Sequence, residues 1–255
     1  MRKIAKFFLN NIPRPILINL SVFLQPLIYQ LFKGDRFTDP IDGKSYRKFL
    51  PYGYGRQRDN ALSPGTLSLE RHRQMWLYLQ NKTDFFRKNY KVLHIAPEQE
   101  FLRRFKKTKN LQYVSADLFS PIVDVKADIL DLPFEDESFD VIFCNHVLEH
   151  IEDDQKAMGE LFRVMNKGGW GIFQVPMKTG LEETYEDFSI KDPKERQKHF
   201  GQYDHVRWYG MDYFQRLKDA GFEVDINFYS KQFSPELRKR YGLLENEILP
   251  VVYKR

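Results

Sequence analysis

The segment Tyr90–Pro176 constrains the fold of this chain more than any other. It reads YKVLHIAPEQEF, then YVSADL, then VKADILDLPFEDESFDVIFCNHVLEHIEDD, then MNKGGWGIFQVP. Short apolar runs bounded by turn residues read as strands of a buried sheet, and the polar stretches between them read as helices. The pattern predicts strands over Lys91–Ile95, Gln112–Ala116, Asp124–Ala127, Phe139–Cys144, Gly171–Val175, Glu223–Tyr229 and Glu247–Tyr253. It predicts helices over Ser68–Lys82, Glu98–Lys107, Asp153–Met165 and Met211–Ala220. Strands alternating with helices build a mostly parallel sheet covered by helices. Ligands of such sheets sit beyond the carboxyl ends of the strands. The turn after Ile95, Asp117, Asp128 and the Asn145–His146 pair should therefore share one edge.

The 255 residues suit one α/β domain with an accessory segment. A single cysteine, Cys144, excludes an intramolecular disulfide and fits a reducing compartment such as the cytoplasm. The net charge of +5 is unevenly placed: the first sixty residues hold eleven Lys/Arg against four Asp/Glu, and the rest is slightly acidic. This distribution argues against a basic nucleic-acid groove. It suits a basic arm facing an anionic membrane surface.

That arm is the 1–37 segment, expected to be an amphipathic helical stretch. Leu17, Leu20, Leu24, Leu27, Ile28 and Leu31 recur at helical spacing within Ile16–Phe32, between Arg14 and Lys33. The apolar run is at the short limit for a span and is diluted by Asn19, Gln25 and Pro26. Two readings stay open: a helix lying on the inner face of a membrane, or a helix docked on the protein itself or a second subunit.

The middle of the chain carries D-x-x-x-L-P-F-x-D-x-S-F-D from Asp128 to Asp140, with a strand-end acid at Asp117 before it. In these features it resembles the class I S-adenosylmethionine (SAM)-dependent methyltransferases of the type 11 kind, in a branch with H-x-A-P-E at the first turn. The resemblance implies a Rossmann-like, seven-stranded, mostly parallel sheet flanked by helices over 84–255, with a small lobe over 38–83. It implies SAM as cofactor. The usual acidic residue and G-x-G-x-G fall here at His94, Ala96, Glu98 and Glu100. Glu98 could pair with the cofactor's ammonium group. Asp117 would accept from the ribose hydroxyls, with helix-capping as its plainer role. Asp128 and Ile129 would meet adenine, and Leu118 with Leu130 would cover its faces. Asn145 would line the methionine end, and His146 or His205 would act as general base.

In the lobe, the phrases DPIDG and SPGTL occupy places where the resembled family is expected to read C-P-x-C-G. Asp39, Asp42, Ser63 and Thr66 stand at the cysteine positions, a donor set unlike a structural zinc site. No metal is expected. The string His146–His150 also matches H-x-x-E-H, the inverted zinc-protease pattern. It falls at a strand-to-helix joint and is read as coincidental.

The 177–208 stretch is long and polar, and follows the fifth strand of the Rossmann-like domain, where it should cover substrate. Its polar candidates are Tyr185, Glu186, His199, Gln202, Asp204, His205 and Arg207, with Arg207 suited to an acidic acceptor. The expected reaction is methyl transfer to a small molecule or a cell-envelope, lipid-linked saccharide. The competing reading is a degenerate, non-catalytic scaffold. An NAD enzyme is disfavoured because G-x-G-x-x-G is missing.

Overall fold

The computed structural model describes residues 24–53 and 57–255. Seven strands form the central sheet: β1 (Tyr90–Ile95), β2 (Leu111–Asp117), β3 (Val125–Lys126), β4 (Phe139–Cys144), β5 (Met165–Ile172), β6 (Glu223–Asn227) and β7 (Leu249–Tyr253). Their order is β6-β7-β5-β4-β1-β2-β3. β3 through β5 pair in parallel, and β7 runs antiparallel between β5 and β6. The sheet is therefore Rossmann-like and mostly parallel, as expected.

Successive residues of a strand face opposite sides, and here both sides are apolar. Leu93, Ile95, Ile142 and Cys144 join one core, shared with α3 (Asp154–Val164) and α5 (Tyr213–Asp219). Val92, Val141 and Phe143 join the other, shared with α1 (Glu70–Lys82) and α2 (Gln99–Lys107). On that face Trp76, Phe101 and Phe105 stack with interplanar angles of at most 5°. Each such buried ring contributes about 1.5–3 kcal/mol.

Several sequence expectations are corrected. Lys33–Thr38 is a strand paired with Ser45–Tyr46, so the helical segment ends at residue 32. Residues 24–32 are helical, and Tyr29 and Phe32 pack against Phe37, Tyr46 and Phe49 of the lobe. Leu27 and Leu31 face outward, 59% and 57% exposed. Among the described residues no helix is long and apolar enough to cross a membrane. The expectation for residues 1–23 lies outside the described residues. β5 starts earlier and ends earlier than predicted, because residues 166–169 bulge and exchange backbone hydrogen bonds with Lys254. Two helices were not foreseen: α4 (Pro193–Phe200) and α6 (Pro235–Tyr241).

The two Pro-containing phrases of the lobe fold into matching turns. Gly43 N donates to Asp39 O, and Leu67 N donates to Ser63 O. Asp39 N donates to Lys44 O, and Ser63 N donates to Ser68 O. Gly43 and Leu67 both take left-handed φ, 70° and 63°. The turns are joined by side chains: Asp39, fully buried, accepts from Thr66 Oγ1 and from Ser68 Oγ at 3.0 Å. Asp42 accepts from the Tyr46 hydroxyl at 2.6 Å. That hydroxyl occupies the place a Cβ at position 65 would need, so only glycine fits there.

Candidate active site

The carboxyl ends of β1 and β4 open into a cavity of about 410 Å³. That volume is within the usual range for small-ligand sites. Its floor is Ala96, Pro97, Glu98, Asn145 and His146. Its opposite wall comes from the lobe, through Pro64–Leu67, Arg71 and His72, and from Gln25 and Ile28 of the 24–32 helix. No sequence signal pointed to this wall, because those residues lie far upstream of the strands they face.

The first turn holds its shape without the glycines. Ala96 adopts φ +46°, and its N–H donates to Ala116 O at 2.8 Å. Glu98 caps α2 by position, and its side chain bends back to the sheet. The buried His94 ring bridges Tyr113 and Glu98: Nδ1 is 2.9 Å from the Tyr113 hydroxyl and Nε2 is 2.8 Å from Glu98 Oε2. With the phenol donating to Nδ1, Nε2 carries the proton that Glu98 accepts. Burial pushes the Glu98 carboxyl up, but the His94 hydrogen bond and the nearby His94 and His72 rings outweigh it and hold it at about 2. Its second oxygen, Oε1, is buried without a hydrogen bond, 4.0 Å from His72 Nε2. His94 is thus not a cavity-facing group; it positions Glu98.

Asp117 ends β2, and its Oδ1 accepts from Phe119 N and Ser120 N at 2.7 and 2.6 Å. No helix follows before β3, so this oxygen holds a turn and the helix-capping role does not arise. Asp128 is exposed and holds Leu130 N through Oδ1 at 2.9 Å. Ile129 is buried in the core, while Leu118 is 39% exposed. Asn145 is fixed at both ends, accepting from Gln174 N at 3.1 Å and donating to Met75 Sδ at 3.4 Å. His146 follows with φ +55°, and its N–H donates to Gln174 O at 2.7 Å. A bulky residue in that conformation costs about 1–3 kcal/mol, strain that concentrates at functional sites. Burial pushes the His146 pKa down, which keeps the ring neutral near pH 7.

Two candidates fall elsewhere. Arg207 is 1% exposed and fully engaged. It donates to Leu148 O, Ile151 O and Glu152 O and to Glu186 Oε2, at 2.6–3.1 Å. It clamps the turn after β4 and is too deeply buried to meet an acceptor molecule. His205 is 6% exposed and lies beside Glu149, not among the cavity residues. The phrase FGQYDHVRWY folds back on the 148–152 turn, with Val206 N donating to Glu149 O at 3.0 Å. Tyr185 remains partly exposed, its hydroxyl 2.8 Å from His199 Nδ1. Gln202 donates to Asp204 Oδ1 at 3.0 Å.

The residues at the edge suit a nucleoside sulfonium cofactor. A buried carboxylate oxygen at Glu98 without a hydrogen bond among the described residues matches an ammonium group, and carboxylates at Asp117 and Asp128 each keep a second oxygen.

Residues 77–173 match the methyltransferase domain family. An uncharacterised protein of Methanocaldococcus jannaschii is 31% identical over 105 residues, 40% of each chain. A ubiquinone/menaquinone biosynthesis C-methyltransferase of Idiomarina loihiensis is 35% identical over 69 residues, 26% of this chain and 28% of that one. The chain thus spans less than half the length of these curated relatives. A SAM-dependent methyltransferase of Archaeoglobus fulgidus superposes with a TM-score of 0.48 at 17% identity, covering 73% of this chain and 94% of that one.

Proposed function

We propose that this chain, which matches the methyltransferase domain family over residues 77–173, uses SAM to methylate a small-molecule, cell-envelope saccharide or lipid-linked acceptor at the carboxyl edge of its sheet. Glu98, a cavity residue whose Oε1 has no hydrogen bond among the described residues, carries the reading. Glu98 would hold the cofactor's ammonium group, Asp117 its ribose hydroxyls, and Asp128 with the Ile129 backbone its adenine. When bound, SAM supplies an electrophilic methyl group on a sulfonium. The task of the protein is to align an acceptor with that carbon, which alone can supply about 7–11 kcal/mol.

His146 lines the cavity and is the natural base for a hydroxyl acceptor. Its neutral ring would take the acceptor's proton as the new bond forms, a contribution of about 10²–10⁴-fold. Tyr185, Gln202 and Asp204 are the polar groups from the 177–208 stretch that remain to meet the acceptor. The basic, apolar N-terminal sequence supports a lipid-linked acceptor.

Calorimetric titration of SAM tests the placement. Asp117→Ala should weaken binding by about 1–3 kcal/mol, the scale of a hydrogen bond to a charged group. Unchanged affinity in both Asp117→Ala and Asp128→Ala would refute it. The altered first turn, with Ala96, Glu98 and Glu100 at the glycine positions, favours the degenerate-scaffold reading; SAM binding without turnover on any acceptor would support that alternative.

A further inference from the structure

The turn after β4 holds a buried carboxylate whose surroundings its methyltransferase role does not use. Glu149 is 1% exposed, and among the described residues its Oε1 meets ring nitrogens rather than a lysine or arginine. An uncompensated buried charge is costly, so such a group normally has a cationic partner. Three histidine rings face its Oε1: His146 Nδ1 at 3.2 Å, and His150 Nε2 and His205 Nε2, each at 4.0 Å.

The two more distant rings are oriented from behind. His205 Nδ1 lies 3.2 Å from Phe200 O, and His150 Nδ1 lies 3.2 Å from Asp204 O. A carbonyl oxygen only accepts, so both Nδ1 atoms carry the proton. In the neutral ring each Nε2 then presents a lone pair to a carboxylate oxygen. Two imidazole lone pairs and a carboxylate oxygen converge there, with His146 Nδ1 the one ring nitrogen close enough to donate, an arrangement that a shared cation would relieve. Backbone carbonyls that fix the far nitrogen of each ring are the usual support of metal-bound histidine.

We propose that Glu149, His150 and His205 form a binding site for a divalent d-block cation of the zinc or cobalt type. Their ligand atoms lie within 4.8 Å of one another. Bonds of about 2.0–2.2 Å to one tetrahedral ion would bring them to about 3.4 Å, a closure that small side-chain rotations supply. Two imidazoles and one carboxylate suit a borderline ion better than calcium or magnesium. The set differs from the H-x-x-E-H string: His146 is not in it, and His205 comes from the chain segment after α4. Three protein ligands leave a position for a further donor, and His146 joins the cluster to the cavity through its contact with Glu149.

The test uses full-length protein freed of metal by chelator dialysis and titrated with Co²⁺, reading visible ligand-field bands, followed by Zn²⁺ competition. The proposal expects one Co²⁺ per chain, displaced by Zn²⁺, with affinity at least 10-fold weaker in Glu149→Gln and in His205→Gln. Absence of bands in the wild type, or equal affinity in the variants, overturns it. Should Glu149→Gln fail to fold, His205→Cys decides. It should keep one Co²⁺ and add a thiolate-to-cobalt charge-transfer band, and a folded His205→Cys protein lacking that band overturns the site. SAM titration of the same metal-free sample separates this outcome from the methyltransferase reading, since a failed metal site leaves cofactor binding intact.

Discussion

The hydroxyl of Tyr113 lies 2.9 Å from Nδ1 of His94, and with the phenol as donor this contact makes Nε2 the protonated nitrogen of the ring. The far nitrogen meets Glu98 at 2.8 Å, so a tyrosine on β2 governs a carboxylate at the start of α2. Tyr113→Phe removes one hydrogen bond of about 0.5–1.5 kcal/mol. It should weaken SAM binding about 2–10-fold while the fold survives. His94→Leu should weaken it further, because Glu98 then loses its anchor. Equal affinities across wild type, Tyr113→Phe and His94→Leu, measured by calorimetry, would mean that the relay does not reach the ligand.

Glu98 should make stability depend on acid pH. Its folded-state pKa, about 2, lies below the ordinary value of 4.5. A depressed carboxyl stabilises the fold fully above the unfolded pKa, and that share is lost as pH falls through the folded pKa. The stability gap between wild type and Glu98→Gln should be open at pH 7 and close between about pH 4.5 and pH 2. Urea unfolding at a series of pH values checks this; a gap that stays constant would contradict it.

Arg207 should matter for stability more than for substrate affinity. Its removal orphans three carbonyl groups and breaks its pair with Glu186. Breaking a buried ion pair from one side costs about 3–5 kcal/mol. Arg207→Met should lose stability on that scale in urea unfolding. A loss below about 1 kcal/mol would show that the guanidinium is not locked by these contacts.

The 24–32 helix should be part of the binding site. Gln25 donates to Gly65 O at 2.9 Å, and Gln25 and Ile28 wall the cavity. Deleting residues 1–33 should therefore lower both the melting temperature and SAM affinity. A truncated protein with unchanged affinity would assign the helix to another surface, and liposome flotation of the full chain would then test the outward Leu27 and Leu31.

Local pattern by itself determined the sheet. The near-continuous apolar runs of Val92–Ile95 and Val141–Cys144 report burial on both faces, a property each strand carries alone, and their parallel register sets the carboxyl ends of the strands along one edge. The cap signals of α4 and α6 were also present: Asp192 and Ser234 before a proline, Gly201 and Gly242 in left-handed φ after. Neither helix shows an apolar stripe, because α4 buries only Phe200 and α6 buries nothing, so the caps stand without the periodicity that marks a helix. What only the tertiary structure decided is which polar groups are spent. Arg207 and His205 look like substrate ligands in a polar stretch, and became a clamp and a Glu149 neighbour only when that stretch folded onto residues 148–152. The lobe's wall over the cavity was decided in the same way. A hydrogen bond between residues dozens of positions apart leaves no periodicity in the sequence, whereas burial of a strand face does.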